Sequence, residues 1–162
     1  MKLYFVRHAA ASRKTTWGAD DGLRPLTRTG KVRFREAARA LVSAGALIPA
    51  LIVTSPLVRA RQTADILAKA LPAVVPVVED ERLAGDFDVE ALRELLAEHR
   101  DVNSIAIVGH NPDFTEVLSA VTGKANVNVR KGAVALVELT ERTTLSGRLM
   151  WLAPPELFSP CD

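Results

Sequence analysis

A chain of 162 residues, 48% hydrophobic and 25% charged, can bury a sizeable core. Its 21 basic and 19 acidic residues leave a formal charge of +2, too even a balance to point to nucleic acid or to a membrane surface as partner. The one cysteine, Cys161, permits no disulfide within the chain, which suits a reducing cytosol.

The first apolar run, residues 3–6, stops at Arg7 and is too short for a signal-peptide core. No stretch approaches the length of a transmembrane helix, so a cytoplasmic protein is expected. Residues 3–6, 51–54 and 105–108 are short, continuous and rich in β-branched or aromatic side chains, as strands buried on both faces are. Residues 9–26 lack periodicity and read as an active-site loop. Phe34, Ala37, Ala38 and Leu41 follow helical spacing, with Gly45 as the stop. Ala60, Ala64, Leu67 and Leu71 repeat that spacing and end before Pro72. Residues 74–78 suggest a strand, and Pro76 within them places it at a sheet edge. Val89, Leu92 and Leu96 predict a helix capped by Asp88. Phe114, Val117, Leu118 and Val121 predict another, ending near Gly123. Residues 133–139 and 149–152 read as final strands, with the polar stretch 140–147 as a hairpin turn. The proline-rich tail 154–162 reads as irregular.

Strands alternating with helices predict an α/β fold: one three-layer domain over residues 1–162, its mainly parallel mixed sheet flanked by helices. No repeat or linker divides the chain.

Three predicted strands end on chemistry: Arg7-His8, Ser55-Pro56-Leu57-Val58-Arg59, and Gly109-His110-Asn111-Pro112. Open α/β sheets bind ligands at the carboxyl ends of their strands. Ser55-Pro56 and Asn111-Pro112 each read as N-cap followed by first helical residue, and a helix start favours an anion. An arginine fork matches phosphate oxygens in two-point fashion. A neutral imidazole can attack phosphorus, and a charged one can donate hydrogen bonds. Two arginines and two histidines therefore suit holding and moving a phosphoryl group without a metal. The chain has no metal-ligand spacing and no phosphate-binding Gly-x-x-x-x-Gly-Lys loop, so no cofactor is expected. Spacing alone does not choose between His8 and His110 as nucleophile.

The stretch ending in Arg7-His8 resembles the Arg-His-Gly signature of the histidine phosphatase superfamily. Arg24-Pro25-Leu26-Thr27 with Gly30 is similar to a segment of its small SixA-like phosphohistidine phosphatases. So are Ser55-Pro56-Leu57-Val58-Arg59-Ala60-Arg61-Gln62-Thr63 and Val108-Gly109-His110-Asn111-Pro112. The four segments occur in order and the resemblance runs to about Thr140. It implies a phosphoglycerate mutase-like fold with His8 as the transiently phosphorylated nucleophile. Arg7, Arg59 and His110 would surround the phosphoryl oxygens, and Arg24 would be a further binding residue. One departure is Ala9, where the wider superfamily has glycine; alanine is familiar in the SixA-like branch.

For the general acid, Glu79, Glu81 and Asp86 are candidates, and Asp21, which matches an aspartate of the SixA-like loop, ranks first. Imidazole, with a reference pKa near ~6.5, leaves far more readily than an alkoxide, so a site with a weak acid suits phosphohistidine. The expected activity is metal-independent removal of phosphate from phosphohistidine on a signalling or phosphotransfer protein. The alternatives are hydrolysis of small phosphomonoesters and phosphoprotein binding without turnover. Arg28, Lys31 and Arg61 read as solvated helix charges, His99 as exposed and inert, and Cys161 as inert. Trp17 reads equally as pocket rim or core cover, and Lys131-Gly132, which precede a strand and could approach the pocket, read rather as a solvated turn. Neither nucleic acid nor membrane is an expected partner, and the sequence does not give an oligomeric state.

Overall fold

The computed structural model describes residues 1–124 and 127–158. Six strands form one sheet: β1 Lys2–Arg7, β2 Leu51–Thr54, β3 Val77–Glu79, β4 Ser104–Gly109, β5 Val134–Glu141 and β6 Ser146–Ala153. Their order across the sheet is β3-β2-β4-β1-β5-β6. β1, β2, β3 and β4 pair in parallel, and β5 and β6 add antiparallel partners beyond β1. The α/β reading with a mainly parallel mixed sheet therefore holds.

The helices are α1 Lys14–Trp17, α2 Arg28–Ser43, α3 Val58–Ala70, α4 Val89–Glu98 and α5 Asp113–Thr122. They cover both faces of the sheet. Tyr4, Val6, Ile52 and Val108 pack with Phe34 and Leu41 of α2 and Ala64 and Leu67 of α3. Leu3, Phe5, Val53 and Ile107 pack on the other side with Leu92 and Leu95 of α4 and Phe114 and Val117 of α5. Alternate residues of each central strand thus enter opposite cores, which is why these strands read as continuous apolar runs. Full burial of each such side chain contributes about 1.5–3 kcal/mol before ordering entropy is counted.

Several local expectations change. Asp88 does cap α4, its carboxylate accepting from Ala91 N at 2.8 Å. Neither Ser55 nor Asn111 is an N-cap: Leu57 and Pro112 occupy those positions. Ser55 Oγ instead accepts from Leu57 N at 3.2 Å, closing a turn that delays α3. Asn111 turns its amide to Thr115 Oγ1 and the Val129 carbonyl. The strand expected over 74–78 begins only after Pro76, but it is an edge strand. The hairpin turn is shorter than expected because pairing continues to Glu141 and Ser146. Residues 9–26 hold α1, a 3-10 turn at Asp21–Leu23 and one bridge between Ala11 and Leu26. Part of the tail, Pro155–Phe158, is a 3-10 turn, and Cys161 lies outside the described residues.

Two glycines bring helices close to the strand ends. A Cβ at Gly30 would stand 2.1 Å from the Ala10 carbonyl oxygen. A Cβ at Gly109 would stand 2.7 Å from the Phe114 ring. The first fixes α2, and the second α5, against the ends of β1 and β4. Ala9 is absent from the residues with positive φ, so its methyl group meets no glycine-only conformation.

Candidate active site

Arg7 and Gly109 lie level in the β1–β4 register, and Thr54 lies level with Val108. The chain leaves these three strands at His8, Ser55 and His110, which are therefore neighbours at one edge. His8 N donates to the Gly109 carbonyl at 3.0 Å and Ser55 N to the Val108 carbonyl at 2.9 Å. The His8 and His110 rings lie 5.1 Å apart between centroids. Arg59 stands on the first turn of α3, and His110 three residues before α5.

His8 is buried, and its Nδ1 lies 2.7 Å from the Ala9 carbonyl oxygen. A carbonyl only accepts, so Nδ1 carries the proton and Nε2 keeps its lone pair. Burial lowers the His8 pKa to about 3, helped by the charges of Arg59 and Arg7, although the Ala9 bond opposes the shift. The ring is thus a neutral imidazole with a free Nε2.

His110 is also buried, and its Nε2 lies 2.9 Å from Ser55 Oγ. Ser55 Oγ accepts from Leu57 N and has its own proton to give, so the network assigns the His110 proton to Nδ1. Burial, then Arg59 and Arg7, lower the His110 pKa to about 4.

The arginines are held by backbone and by one carboxylate. Arg7 Nη1 donates to the Val129 carbonyl at 2.8 Å. Arg59 Nη1 donates to the Asp21 carbonyl at 2.8 Å, and its Nη2 lies 3.2 Å from the Asp21 carboxylate. Arg24 Nε reaches the same carboxylate at 2.8 Å, and its Nη1 donates to the Ser12 carbonyl. Asp21 therefore bridges Arg24 and Arg59. The hydrogen bond from Arg24, with the charge of Arg59 behind it, holds its carboxyl below the usual range. A carboxylate kept ionised has no proton to give, so in this arrangement Asp21 anchors the arginines.

Four buried polar atoms have no partner among the described residues: Arg7 Nε, Arg59 Nε, His110 Nδ1 and Asn111 Oδ1. Leaving such a group unpaired costs about 1–3 kcal/mol. All four belong to the strand-end cluster, and three are donors suited to an oxyanion. Among the described residues, no group of three or more His, Cys, Asp or Glu is placed to hold a metal ion.

The structure brings together Arg7, His8, Arg24, Arg59, His110 and Asp21. It leaves the other acid candidates elsewhere: Glu79 is paired with Arg61 at 2.9 Å, and Glu81 and Asp86 are exposed. His99 is only partly exposed and makes no side-chain bond among the described residues. Trp17 donates to the Asp20 carbonyl, inside the loop that carries Asp21.

The sequence gives one anchor no role and another the wrong surroundings. Thr63 is fully buried; its Oγ1 accepts from Ala9 N at 3.1 Å and donates to the Arg59 carbonyl at 2.7 Å. It ties the turn after His8 to the helix that carries Arg59, and its place in the Arg-Ala-x-Gln-Thr stretch was the available signal. Gly132 is not a solvated turn. It is buried, with φ 79°, and donates to the carbonyls of Arg7 and His8 at 3.1 and 3.0 Å.

The buried imidazoles have a consequence for acid stability. Their folded pKa values, about 3 and about 4, lie below the ordinary 6.5. As pH falls below 6.5 the unfolded chain takes up protons that the folded chain refuses, so stability is full above 6.5 and is lost down to about 4 for His110 and about 3 for His8. Thermal melts should fall more steeply over that interval for wild type than for His8→Gln or His110→Gln. Parallel slopes for all three would contradict the buried neutral state.

The fold matches solved structures over nearly the whole chain. The protein histidine phosphatase SixA, complexed with tungstate, superposes with a TM-score of 0.86 at 23% identity, covering 98% of this chain and 100% of that one. The alpha-ribazole phosphatase of Shigella flexneri superposes at 0.75 with 17% identity, over 96% of this chain and 97% of that one. An uncharacterized protein of Picosynechococcus sp. is 37% identical over 140 residues, 83% of this chain and 82% of its own. The fold is the one these phosphatases share. The sequence pattern of the histidine phosphatase superfamily (branch 1) matches residues 3–87, and the chain belongs to that superfamily.

Proposed function

We propose that the protein is a metal-independent phosphatase that works through a phosphohistidine on His8 and acts on phosphohistidine carried by a signalling or phosphotransfer protein. The observation that carries this reading is the neutral His8 ring, its Nδ1–H tied to Ala9 and its Nε2 free beside His110 and the arginines. The tungstate held by SixA, an oxyanion of phosphate's shape, supports an oxyanion site in this fold.

In the first step His8 Nε2 attacks phosphorus in line. The Nε2–P bond forms as the bond to the leaving group breaks. Phospho-His8 keeps its Nδ1 proton on the Ala9 carbonyl, which steadies the positive ring. Arg7, Arg59 and Arg24 take the equatorial oxygens, and His110 Nδ1–H donates to one of them. In the second step water attacks phosphorus and the Nε2–P bond breaks. His8 leaves as neutral imidazole, and the water's proton departs with phosphate or to solvent. A leaving imidazole protonated on its other nitrogen departs neutral and needs no acid. An alkoxide does need one. Asp21 can serve it only after a bound dianion draws Arg24 and Arg59 away and lets the carboxyl take a proton. The proposed setting is the cytoplasm; no helix of the described residues is long and apolar enough to cross a membrane.

Phosphate release from a histidine-phosphorylated protein and from an aryl phosphate, both with EDTA present, tests the reading. Fast release from the phosphohistidine protein is expected. Release only from the aryl ester moves the substrate to small phosphomonoesters, and release from neither leaves a phosphoprotein-binding module. In the same assay Asp21→Asn should slow the ester more than the phosphohistidine. Equal losses would confine Asp21 to positioning the arginines.

A further inference from the structure

Helix α2 carries Arg28, Lys31, Arg33, Arg35 and Arg39 against one carboxylate, Glu36. The remainder of the chain is net acidic, so the molecule's net positive charge resides on this one element. Arg28, Lys31, Arg35 and Arg39 recur in steps of three and four residues and share one face of the helix. The core stripe, Gly30, Phe34, Ala37, Ala38 and Leu41, lies on the opposite side. The cationic stripe is about 17 Å long at 1.5 Å per residue.

The helix itself gains nothing from this pattern. Like charges four residues apart, as at Lys31–Arg35 and Arg35–Arg39, each cost about 0.2–0.5 kcal/mol. Arg28 also stands at the positive end of the helix dipole. Among the described residues none of the four forms an ion pair. Arg35 and Arg39 converge with Lys69 of α3 on a cavity of about 150 Å³ that Ile66 and Ala70 complete. The stripe starts at the site: Thr27, the cap of α2, donates its N–H to the Ala10 carbonyl, two residues from His8. From there the helix carries it about 17 Å along its axis, farther than a small substrate spans.

We propose that this stripe, with Lys69, docks an acidic face of the protein whose phosphohistidine enters the pocket. The proposal rests on the phosphohistidine-protein reading above. Unpaired cations that begin beside the pocket and extend away from it fit a partner large enough to touch both. Complementary charge of this kind raises association rate and affinity for a macromolecule and is screened by salt.

The test compares two substrates. One is free phosphohistidine; the other is an acidic histidine-phosphotransfer domain phosphorylated with phosphoramidate. The variants are the triple Arg28→Glu, Arg35→Glu, Arg39→Glu and its milder all-Gln counterpart. The Glu triple should raise KM for the domain about tenfold or more, the Gln triple less, with free phosphohistidine changed by under about twofold. Added salt should raise KM for the domain in wild type only. An unchanged KM for the domain in both triples would overturn the proposal. If wild type turns over neither substrate, the phosphohistidine reading fails by itself, and docking is then read from binding of the phosphorylated domain. Salt-sensitive binding lost in the Glu triple would uphold the docking surface, and no binding would overturn it. Binding of wild type to phosphatidylserine vesicles, lost in the Glu triple while KM for the domain stays unchanged, would overturn a protein partner in favour of a membrane.

Discussion

His8→Ala should lose turnover by at least about 10⁴-fold, because a covalent route loses its nucleophile and the surrounding charges stabilise a step that no longer occurs. The fold should survive. The substitution removes one hydrogen bond, from Nδ1 to the Ala9 carbonyl, worth about 1 kcal/mol, and it also removes a ring whose charged form the site already refuses. Melting temperatures at neutral pH should therefore differ little. The measurement that isolates the chemistry is acid-labile radiolabel trapped on the protein after mixing with labelled substrate. Wild type should hold label, and His8→Ala none. His110→Ala should still become labelled, but slowly, since in the proposed scheme His110 stabilises charge and forms no bond to phosphorus. If His8→Ala kept its rate within about tenfold, or if label appeared on His110, the assignment of roles would be wrong.

Much of this site is legible in the sequence because of where its residues fall. Arg7-His8, Arg59 and Gly109-His110 each stand at or just beyond the end of a doubly buried strand, and such strands announce themselves as continuous apolar runs. The parallel register then makes their ends neighbours. Only the family resemblance selects His8 over His110; what the sequence does not show is the Ala9 carbonyl that fixes one tautomer of His8. The parts that were not legible are backbone contacts over long separations. The Val129 carbonyl that holds Arg7 is 122 residues away, and nothing in the sequence of that loop marks it. Gly132 reaching Arg7 and His8 is the same kind of contact. Ser55 and Asn111 misled because cap residues in sequence were spent on other bonds, one to a turn and a histidine, the other to Thr115 and Val129. Asp21 is legible by position, and so is the nearby Arg24 whose hydrogen bond does most to keep it ionised; its second partner, Arg59, stands 38 residues along the chain and is not.

Arg59→Ala should lower kcat/KM by about 10³-fold and weaken inorganic tungstate binding with it, since the guanidinium acts on the dianion in both ground and transition states. The free protein should lose little stability. Removing Arg59 strands no buried charge, because its partner Asp21 is part-exposed and keeps its bond to Arg24. What the variant should lose is the rise in melting temperature that phosphate or tungstate gives to wild type, because that rise measures ligand bound to the folded state. Arg59→Lys separates charge from geometry. A lysine keeps the positive charge but lacks the planar fork that meets two oxygens while reaching the Asp21 carbonyl and carboxylate, so it should recover only a small part of the rate. A merely structural arginine would behave differently: its loss would lower the melting temperature, and lysine would restore most of the rate. Full tungstate affinity in Arg59→Ala would place the oxyanion away from α3, and the proposed arrangement of Arg7, Arg59 and His110 around phosphorus would fall with it.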